Sequence, residues 1–495
     1  MELIKPDFKT FCHQAEGRNV VPVYTRFTDV AISPNQAISA LAPVRPVFLL
    51  ESLGPYGEFS RASFLGINPL AAAKAWPGRV ELQDFVSGRN EKYNTDPWQG
   101  LKLLMSRFRP AVPADLGNFW GGAVGFMGYD AVRSLERLPS LCLVEPEQCE
   151  MHFVVCRDLL RFDRRTSEVL LISLALLQEG KDLEAAYQAA ASRVKEMRQK
   201  LLQADSTEDQ GFLDNFKCGT EVRSNVSQSE YEHRIHQAKE YIRNGDIIQV
   251  VLSQRLSVDF EGDPLSLYRA LKEINPSPYC FFLDFDDLCL VGASPEMLVR
   301  LTGNRIQLRP IAGTRPRGSS PDADEVLVKD LLSDPKETAE HIMLVDLGRN
   351  DVGRVARLGS VTVPHLMTVE FYSHVMHIVT HVEGILDQNR KPLDVLKVAF
   401  PAGTLSGAPK IRAMEIIEEL ETIRRGPYGG AVGYLSFSGD IDFCITIRTL
   451  VVEGDQAWIQ AGGGIVADSD PATEYQESLH KAEAILTALR RGRKK

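Results

Sequence analysis

Two pairs of glutamates have the spacing and the side-chain chemistry of a metal site. Glu337 and Glu340 stand three positions apart in KETAEHIMLVDLGRND, and Glu474 and Glu477 repeat that spacing in ATEYQESLHKAEAIL. Both segments have helical patterns, so each pair projects from one face of a helix. Four carboxylates from two helices would supply the oxygen ligands that Mg²⁺ prefers. The alternative is that each glutamate is a solvated surface residue.

Two glycine-rich segments are candidates for binding anions. Gly462, Gly463 and Gly464 follow the strand-like run AWIQ, and consecutive glycines let backbone amides approach an anion closely, although a tight turn would also explain them. Thr404 lies in FPAGTLSGAPK, a Gly/Pro loop before the helical segment IRAMEIIEEL, whose amino end favours anions.

Arg448 and His377 are the remaining candidates. Arg448 lies on the alternating strand DFCITIRTLVV, where its guanidinium can pair with a substrate carboxylate or form a buried ion pair. His377 lies in the apolar run SHVMHIVTHV, which is typical of a core histidine as well as of an acid/base group. The sequence has no serine or cysteine nucleophile elbow, Walker loop or dinucleotide fingerprint, which argues against covalent hydrolase chemistry and ATP use.

The elements that must position these residues fall into two halves. The chain of 495 residues is long enough for two domains, which we place at 1–200 and 227–490 with a polar linker at 201–226. After the linker, Ser227 or Ser229 caps a helix that Gly245 ends, and a strand follows. GGAVGF at 121–126 and GGAVGY at 429–434 predict strands of one shared sheet system.

Composition excludes several classes of partner. The net charge of −10 argues against nucleic acid and anionic membranes. No segment approaches the roughly 18 apolar residues that span a bilayer, so we expect a cytoplasmic protein. The eight cysteines lack metal-ligand spacing and fit reduced thiols.

The second half of the chain resembles the chorismate-utilising enzymes. The motifs that carry this resemblance are PIAGTRPRG (310–318), EHIMLVDLGRNDVGRV (340–355), FPAGTLSGAPK (400–410), GPYGGAVGY (426–434) and AGGGIVADSDPATEYQES (461–478). The resemblance implies an α+β fold in which two interleaved halves form an antiparallel β-sheet sandwich flanked by helices, with the site in a cleft between them. It also implies chorismate as substrate and Mg²⁺ as cofactor.

The resemblance assigns roles to the candidate residues. Glu340 and Glu477 contribute to the Mg²⁺ site, supported by Glu337 and Glu474. The catalytic candidates are His377, Thr404 and Gln249, with His377 as an acid/base or orienting group. The substrate-binding candidates are Gly313, Thr314, Tyr428, Arg448, Gly462, Gly463 and Gly464.

Two positions indicate the branch of the family. Gln249 stands where branches that add water carry a lysine base, and glutamine cannot deprotonate water. Ala312 stands where aminodeoxychorismate synthases carry a nucleophilic lysine, so direct attack by ammonia fits better. Both positions are similar to anthranilate synthase large subunits, which convert chorismate and ammonia to anthranilate and pyruvate through aminodeoxyisochorismate, the first committed step of tryptophan biosynthesis. The alternatives are an aminodeoxychorismate synthase component and a non-catalytic tryptophan-sensing homologue.

The resemblance also implies a regulatory site and a partner. LLES (49–52) and NPSPYCFF (275–282) match segments that form a site for inhibition by tryptophan, which places Ser52, Pro278, Tyr279 and Cys280 there. Cys280 is a departure, because many members have methionine at that position and a shorter side chain would loosen the indole pocket. Nothing in the chain resembles a glutamine amidotransferase, so ammonia would come from a separate small subunit in a hetero-oligomer.

Overall fold

The computed structural model describes residues 4–28, 32–41, 45–53, 62–143, 148–177, 182–204, 215–372 and 375–491. Its helices are α1 (Phe8–Ala15), α2 (Pro34–Leu41), α3 (Pro97–Ser106), α4 (Leu183–Gln203), α5 (Gln228–Arg243), α6 (Pro264–Ile274), α7 (Pro321–Ser333), α8 (Pro335–Gly353), α9 (Pro392–Ala399), α10 (Gly403–Ser406), α11 (Lys410–Leu420) and α12 (Pro471–Arg491). None of the helices in these ranges is both long and apolar enough to span a membrane.

The strands come from both halves of the chain. Those of the first half are β1 (Val20–Phe27), β2 (Val47–Glu51), β3 (Ala62–Trp76), β4 (Arg79–Asp84), β5 (Arg89–Tyr93), β6 (Gly122–Met127), β7 (Met151–Asp163) and β8 (Glu168–Leu176). Those of the second half are β9 (Phe216–Cys218), β10 (Arg223–Ser224), β11 (Gln249–Gly262), β12 (Tyr279–Asp284), β13 (Cys289–Ser294), β14 (Met297–Thr302), β15 (Arg305–Leu308), β16 (Ile311–Pro316), β17 (Thr362–Phe371), β18 (Val375–Ile385), β19 (Gly407–Ala408), β20 (Ala431–Ser436), β21 (Ile441–Ile445), β22 (Thr449–Glu453) and β23 (Gln456–Ile465).

Two long strands, β3 and β7, run side by side and belong to two sheets at once. The first part of β3 pairs with β2 and its second part with β4, on either side of a register shift between Pro69 and Ala71. Along its outer edge, β7 pairs first with β6 and then with β8. The strands therefore diverge from this pair into two antiparallel sheets.

The first sheet has the order β1-β8-β7-β3-β2-β12-β13-β22-β23-β11. The second has the order β5-β4-β3-β7-β6-β20-β21-β14-β15-β18. Each sheet joins the halves of the chain, through β2 with β12 in the first and β6 with β20 in the second. This confirms the predicted α+β fold of interleaved antiparallel halves. The two Gly-rich repeats are direct neighbours, with Gly125 opposite Gly433.

The largest group of buried apolar side chains joins the facing surfaces of the two sheets. It contains Phe48 and Phe281 from the first sheet and Phe126 and Phe443 from the second. Phe282, one residue along β12, instead joins a second group that includes α2, α4, α6 and α12. This alternation is the period of two that a strand buried on both faces requires.

Local signals explain several element ends. Ser227 is the cap of α5, and with Glu230 it forms a capping box. Gly245 follows the helix with a φ of +81°, a conformation that glycine adopts without strain.

The predicted linker at 201–226 lies partly outside the described residues, because 205–214 are not among them. Its later residues form β9 and β10, which pair with β11, and the division at 201–226 stays a prediction.

Candidate active-site cleft

Arg448 lies where the chain crosses from one sheet to the other. We expected it within one strand, but that strand is broken: β21 pairs in the second sheet and β22 in the first. Arg448, between them, has a φ of +49°, so its backbone is left-handed and redirects the chain. The arginine therefore lies at the junction of the two sheets.

The guanidinium of Arg448 is mostly buried and has no acidic partner among the residues that the structure describes. Burial alone lowers the pKa of this group, since no carboxylate opposes the effect. Isolated buried charges are costly, so an arginine in this state is suited to receive an anion. The buried ion pair that was the alternative for Arg448 does not form within the described ranges.

His377 lies on β18 beside β16, the strand that carries two predicted substrate ligands, Gly313 and Thr314. Its Nδ1 is 3.0 Å from the carbonyl oxygen of Gly313 and 3.0 Å from Oγ1 of Thr314. A carbonyl oxygen only accepts, so Nδ1 carries the proton and Nε2 is the free acceptor of the neutral ring. Burial lowers the pKa of His377, and the positive field of Arg448 adds to this effect. Arg448 is thus a neighbour of a neutral histidine.

Gly313 connects this histidine to the first glutamate pair. It has a φ of +65°, and a side chain there would press against Leu331 and the carboxylate of Glu337. Arg315, two residues on, donates to Glu337 across 3.2 Å. Strand β16, which contacts His377, therefore also positions Glu337 on α8.

The second member of that pair, Glu340, faces the start of β11. Nε2 of Gln249 donates to its carboxylate across 3.2 Å, and the same amide group lies directly over Gly464. Burial raises the pKa of Glu340, and the nearby charge of Glu337 adds to this effect. Gln249, Glu340 and Gly464 thus form one contact group.

The second glutamate pair projects from α12 toward the same glycines. The carboxylate of Glu474 lies over Gly463 and accepts a hydrogen bond of 2.6 Å from Ser469. Glu477 pairs with Lys481 at 2.7 Å, and Lys481 also donates to the carbonyl of Gly462 across 3.0 Å. Burial raises the pKa of Glu474, and the field of Glu477 raises it further. Both helices therefore present carboxylates to one stretch of β23.

The three glycines extend the strand rather than forming a turn or a separate concave loop. They pair with Val251, Leu252 and Ser253 of β11. The amide of Ser253 donates to Glu421 and the carbonyl of Val251 accepts from Arg425, so the glycines opposite them direct their own amides away from β11. The amides of Gly462 and Gly464 are accordingly available to bind an anion, whereas the amide of Gly463 is directed toward β11.

Thr404 lies in the short helix α10 and not in an open loop. Its hydroxyl donates to Glu296 across 3.1 Å. Burial raises the pKa of Glu296 to about 7, while Thr404 and the field of Lys481 oppose that rise. The positive charge of Lys481 also opposes the rise in pKa at Glu340 and Glu474.

Glu296 and Lys481 are site residues that we did not predict. Glu296 follows β13 in LVGASPEMLV, where a single acid among apolar residues is a weak signal. Lys481 stands on an exposed helical pattern rich in charge, so nothing in the sequence distinguishes it. Their proximity to the glutamate pairs depends on how α12 packs on β23.

Tyr428 is buried beside the site. Its ring lies 5.6 Å from the guanidinium of Arg425, which forms a buried ion pair with Glu421. The turn that holds Tyr428 is bound to Thr446, since the amide of Gly429 donates to that carbonyl across 2.9 Å. Tyr428 is therefore connected to the segment that carries Arg448.

The residues fit a magnesium ion in donor chemistry. Among the described residues, no three acidic, histidine or cysteine side chains are already gathered as a metal cluster. Mg²⁺, however, needs only one or two protein carboxylates besides water and substrate oxygens. The half-buried carboxylate of Glu340 and the glutamate pair on α12 meet that requirement, and burial raises the pKa of both Glu340 and Glu474.

A separate cavity of about 530 Å³ lies between the sheets. It brings together all four residues predicted for tryptophan: Ser52, Pro278, Tyr279 and Cys280. Asp442 of β21 forms part of its wall and accepts from Tyr279 across 3.0 Å and from Arg300 across 2.9 Å. Because Arg448 follows β21, the cavity and the cleft share one strand.

The pKa of Glu296 leads to a prediction about stability. Its carboxyl binds a proton more tightly in the folded chain, so the native state loses stabilisation as pH rises from about 4.5 to about 7. Glu296→Gln keeps the shape but does not ionise. We expect the free energy of unfolding of the unaltered chain, relative to this variant, to fall across that range and to level off above it. Urea denaturation of both proteins at several pH values measures the difference, and a gap that does not change with pH would contradict a buried, proton-binding Glu296.

Comparisons with known proteins place the chain in a family. Residues 46–487 match the chorismate binding enzyme family. The chain is 43% identical over 478 residues to anthranilate synthase component 1 of Acetivibrio thermocellus, covering 96% of each chain. The crystal structure of anthranilate synthase component I from Streptococcus pneumoniae superposes with a TM-score of 0.76 at 37% identity, covering 92% of this chain and 97% of that one.

A more distant structure supports the fold alone. The menaquinone-specific isochorismate synthase of Escherichia coli superposes with a TM-score of 0.70 at 17% identity, covering 97% of this chain and 98% of that one. The chain therefore belongs to the chorismate binding enzyme family, within which it groups with the anthranilate synthase component 1 proteins.

Proposed function

We propose that the chain converts chorismate and ammonia to anthranilate, pyruvate and water. The observation that carries this proposal is the mostly buried guanidinium of Arg448, which has no acidic partner in the described residues and lies beside the neutral His377. Chorismate has two carboxylates, so it needs two anionic subsites. Arg448 and the amides of Gly462 and Gly464 provide one of them, with Tyr428 and Thr314 near the ring.

The second carboxylate requires a cation at the glutamate pairs. Glu340 and Glu477 would hold Mg²⁺, supported by Glu337 and Glu474. When bound, the ion would neutralise the ring carboxylate and make the ring a better electrophile.

Glu296 and His377 supply the proton transfers. With a pKa of about 7, Glu296 is protonated often enough at neutral pH to donate a proton to the C4 hydroxyl, which leaves as water while ammonia adds at C2. Thr404 orients the carboxyl. The free Nε2 of His377 then removes the proton from C2 as the bond to the enolpyruvyl oxygen breaks. The side chain leaves as the enolate of pyruvate, which takes up a proton on its methylene carbon to become pyruvate, and the ring becomes aromatic.

Gln249 and Ala312 support ammonia as the nucleophile. Gln249 is bound to Glu340 and has no basic atom with which to activate water. Ala312 lies opposite Ile378 on β18 and offers no amine for covalent attack. An aminodeoxychorismate synthase is the second candidate, and a lysine in place of Ala312 would have favoured it.

The proposal includes regulation and a partner. Tryptophan would bind in the 530 Å³ cavity and inhibit through the strand shared with Arg448. A glutamine amidotransferase subunit would supply ammonia in a cytoplasmic hetero-oligomer. The halves 1–200 and 227–490 would act as regulatory and catalytic parts of one interleaved body.

One assay tests the activity, the metal and the regulation. The purified chain is incubated with chorismate, MgCl₂ and ammonium at mildly alkaline pH, and anthranilate fluorescence is followed with and without EDTA and tryptophan. We expect anthranilate to form, to stop with EDTA and to decrease with tryptophan. Formation of isochorismate or of a stable amino-chorismate would contradict the assigned branch.

A further inference from the structure

Helix α8, which carries Glu337 and Glu340, is buried only beyond its first turns. Its buried residues are His341, Leu344, Val345, Gly348, Asp351 and Val352. Residues 335–340, which include both glutamates, therefore precede the first buried side chain of the helix. Arg315 pairs with Asp334 and Glu337 at this end, but these ion pairs are partly exposed to solvent. The first buried anchor of the turns that present the glutamates is accordingly His341.

His341 is held by a hydrogen bond to the strand that carries His377. Its ring is fully buried, and its Nε2 lies 2.6 Å from Oγ1 of Thr380 on β18. Thr380 is also fully buried, and its Oγ1 accepts from the amide of Met367 on β17 across 2.9 Å. Since the hydroxyl already accepts from that amide, its own proton is directed at Nε2, which makes Nδ1 the protonated nitrogen of the ring. One hydroxyl group thus connects α8 with β17 and β18.

We infer that the hydrogen bond between His341 and Thr380 positions the α8 glutamates for a divalent cation. The inference rests on the proposed function, because it takes from it the cation site at the glutamate pairs. His341 is a positioning residue, which acts through the helix turn that presents the carboxylates. Its bond to β18 fixes that turn relative to the strand of His377.

The chemistry of this contact indicates a role in position rather than in stability. Nδ1 of His341 is buried and has no hydrogen-bond partner among the residues that the structure describes. A buried donor without an acceptor destabilises the folded state. Leucine would fill similar space without leaving such a donor, but it lacks the directional contact to Thr380.

His341→Leu and Thr380→Val test the inference by removing the hydrogen bond from either side. Each variant is titrated with Mn²⁺ as the probe and followed by electron paramagnetic resonance, with chorismate present and ammonium absent so that anthranilate does not form. We expect each variant to bind Mn²⁺ about tenfold more weakly, the low end of the loss seen when groups that orient metal ligands are removed. Thr380→Ser keeps the hydroxyl and should bind Mn²⁺ as the unaltered chain does. The double variant should bind no more weakly than either single variant, because both changes remove the same contact.

Steady-state kinetics and thermal unfolding supply two further measurements. In His341→Leu and Thr380→Val the KM for Mg²⁺ should rise about tenfold while kcat at saturating MgCl₂ stays within about twofold, since excess cation compensates for weaker binding. Leu344→Ala is the stability control, because it removes a buried side chain from the same face of α8 and leaves the hydrogen bond intact. It should lower the thermal midpoint more than His341→Leu does, and its Mn²⁺ affinity should stay within about twofold.

The outcomes separate this inference from the proposed function. An unaltered chain that binds Mn²⁺ but forms no anthranilate would refute the proposed reaction alone, whereas one that binds no Mn²⁺ would refute the cation site and the inference with it. Equal Mn²⁺ affinities of the unaltered chain and Thr380→Val would overturn only the positioning role. So would a loss of affinity in Leu344→Ala as large as that in His341→Leu, because general loosening of the helix would then explain both. Weaker binding confined to the variants without the hydrogen bond would support the inference.

Discussion

Replacing Arg448 with methionine should abolish most of the activity while making the free protein more stable. The guanidinium has no acidic partner in the described residues, so in the absence of substrate it is a mostly buried, uncompensated charge. Losing it would leave a substrate carboxylate unpaired at a cost of about 3–5 kcal/mol, or roughly 10²–10⁴ in kcat/KM. The same change should raise the free energy of unfolding by about 1–3 kcal/mol.

Steady-state kinetics and urea denaturation of Arg448→Met measure the two effects. Arg448→Lys is the control, because it keeps the charge and loses the two-pronged geometry. Arg448→Lys should retain part of the activity that Arg448→Met loses. It should show little of the increase in the free energy of unfolding that we expect for Arg448→Met. If the methionine variant were less stable than the unaltered chain, Arg448 would have a structural partner and its role as a substrate anchor would be wrong.

Replacing His377 with alanine should stop the reaction after ammonia has added. Nδ1 is occupied by the carbonyl of Gly313, so only Nε2 is available to take the ring proton. General base catalysis contributes about 10²–10⁴ in rate, and anthranilate formation should fall by that factor. Aminodeoxyisochorismate should accumulate, because its formation uses Glu296 and does not need the histidine.

Chromatography with mass detection identifies the accumulated intermediate, and chorismate consumption should stay well above anthranilate formation. His377→Gln is the matched variant, since its amide can still contact Gly313 but cannot act as a base. Equal loss of chorismate consumption and anthranilate formation in both variants would show instead that His377 positions the substrate.

The sequence predicted well those features that depend on local signals. The helix cap, predicted at Ser227 or Ser229 and found at Ser227, the helix end at Gly245 and the two helices with glutamate pairs all follow from residues near in sequence. The sequence also predicted that GGAVGF and GGAVGY belong to one sheet system, and the two segments pair as neighbouring strands. Small residues in both segments let the two backbones approach closely. The family motifs supplied the interleaved topology, which periodicity alone does not.

Features that depend on distant packing were missed. The run DFCITIRTLVV reads as one continuous strand, but its two ends pair in different sheets and Arg448 must turn between them. Glu296 acquires its raised pKa through burial, which depends on the packing of elements distant in sequence, such as α10 with Thr404. The glycines of β23 looked like a loop, since glycine disfavours strands, yet the side chains of Gln249 and Glu474 need the space above them.

The way the halves share their sheets also constrains how the chain folds as it is synthesised. During synthesis, one edge of β2 has no partner until β12 is made about 230 residues later. The corresponding edge of β6 lacks its partner β20 for an even longer stretch of the chain. Exposed strand edges attract other chains, so the newly made first half is the stage most prone to aggregation. Refolding from denaturant should accordingly be slow, and its yield should decrease as protein concentration increases. Chaperones that bind extended segments would act on the first half of the chain.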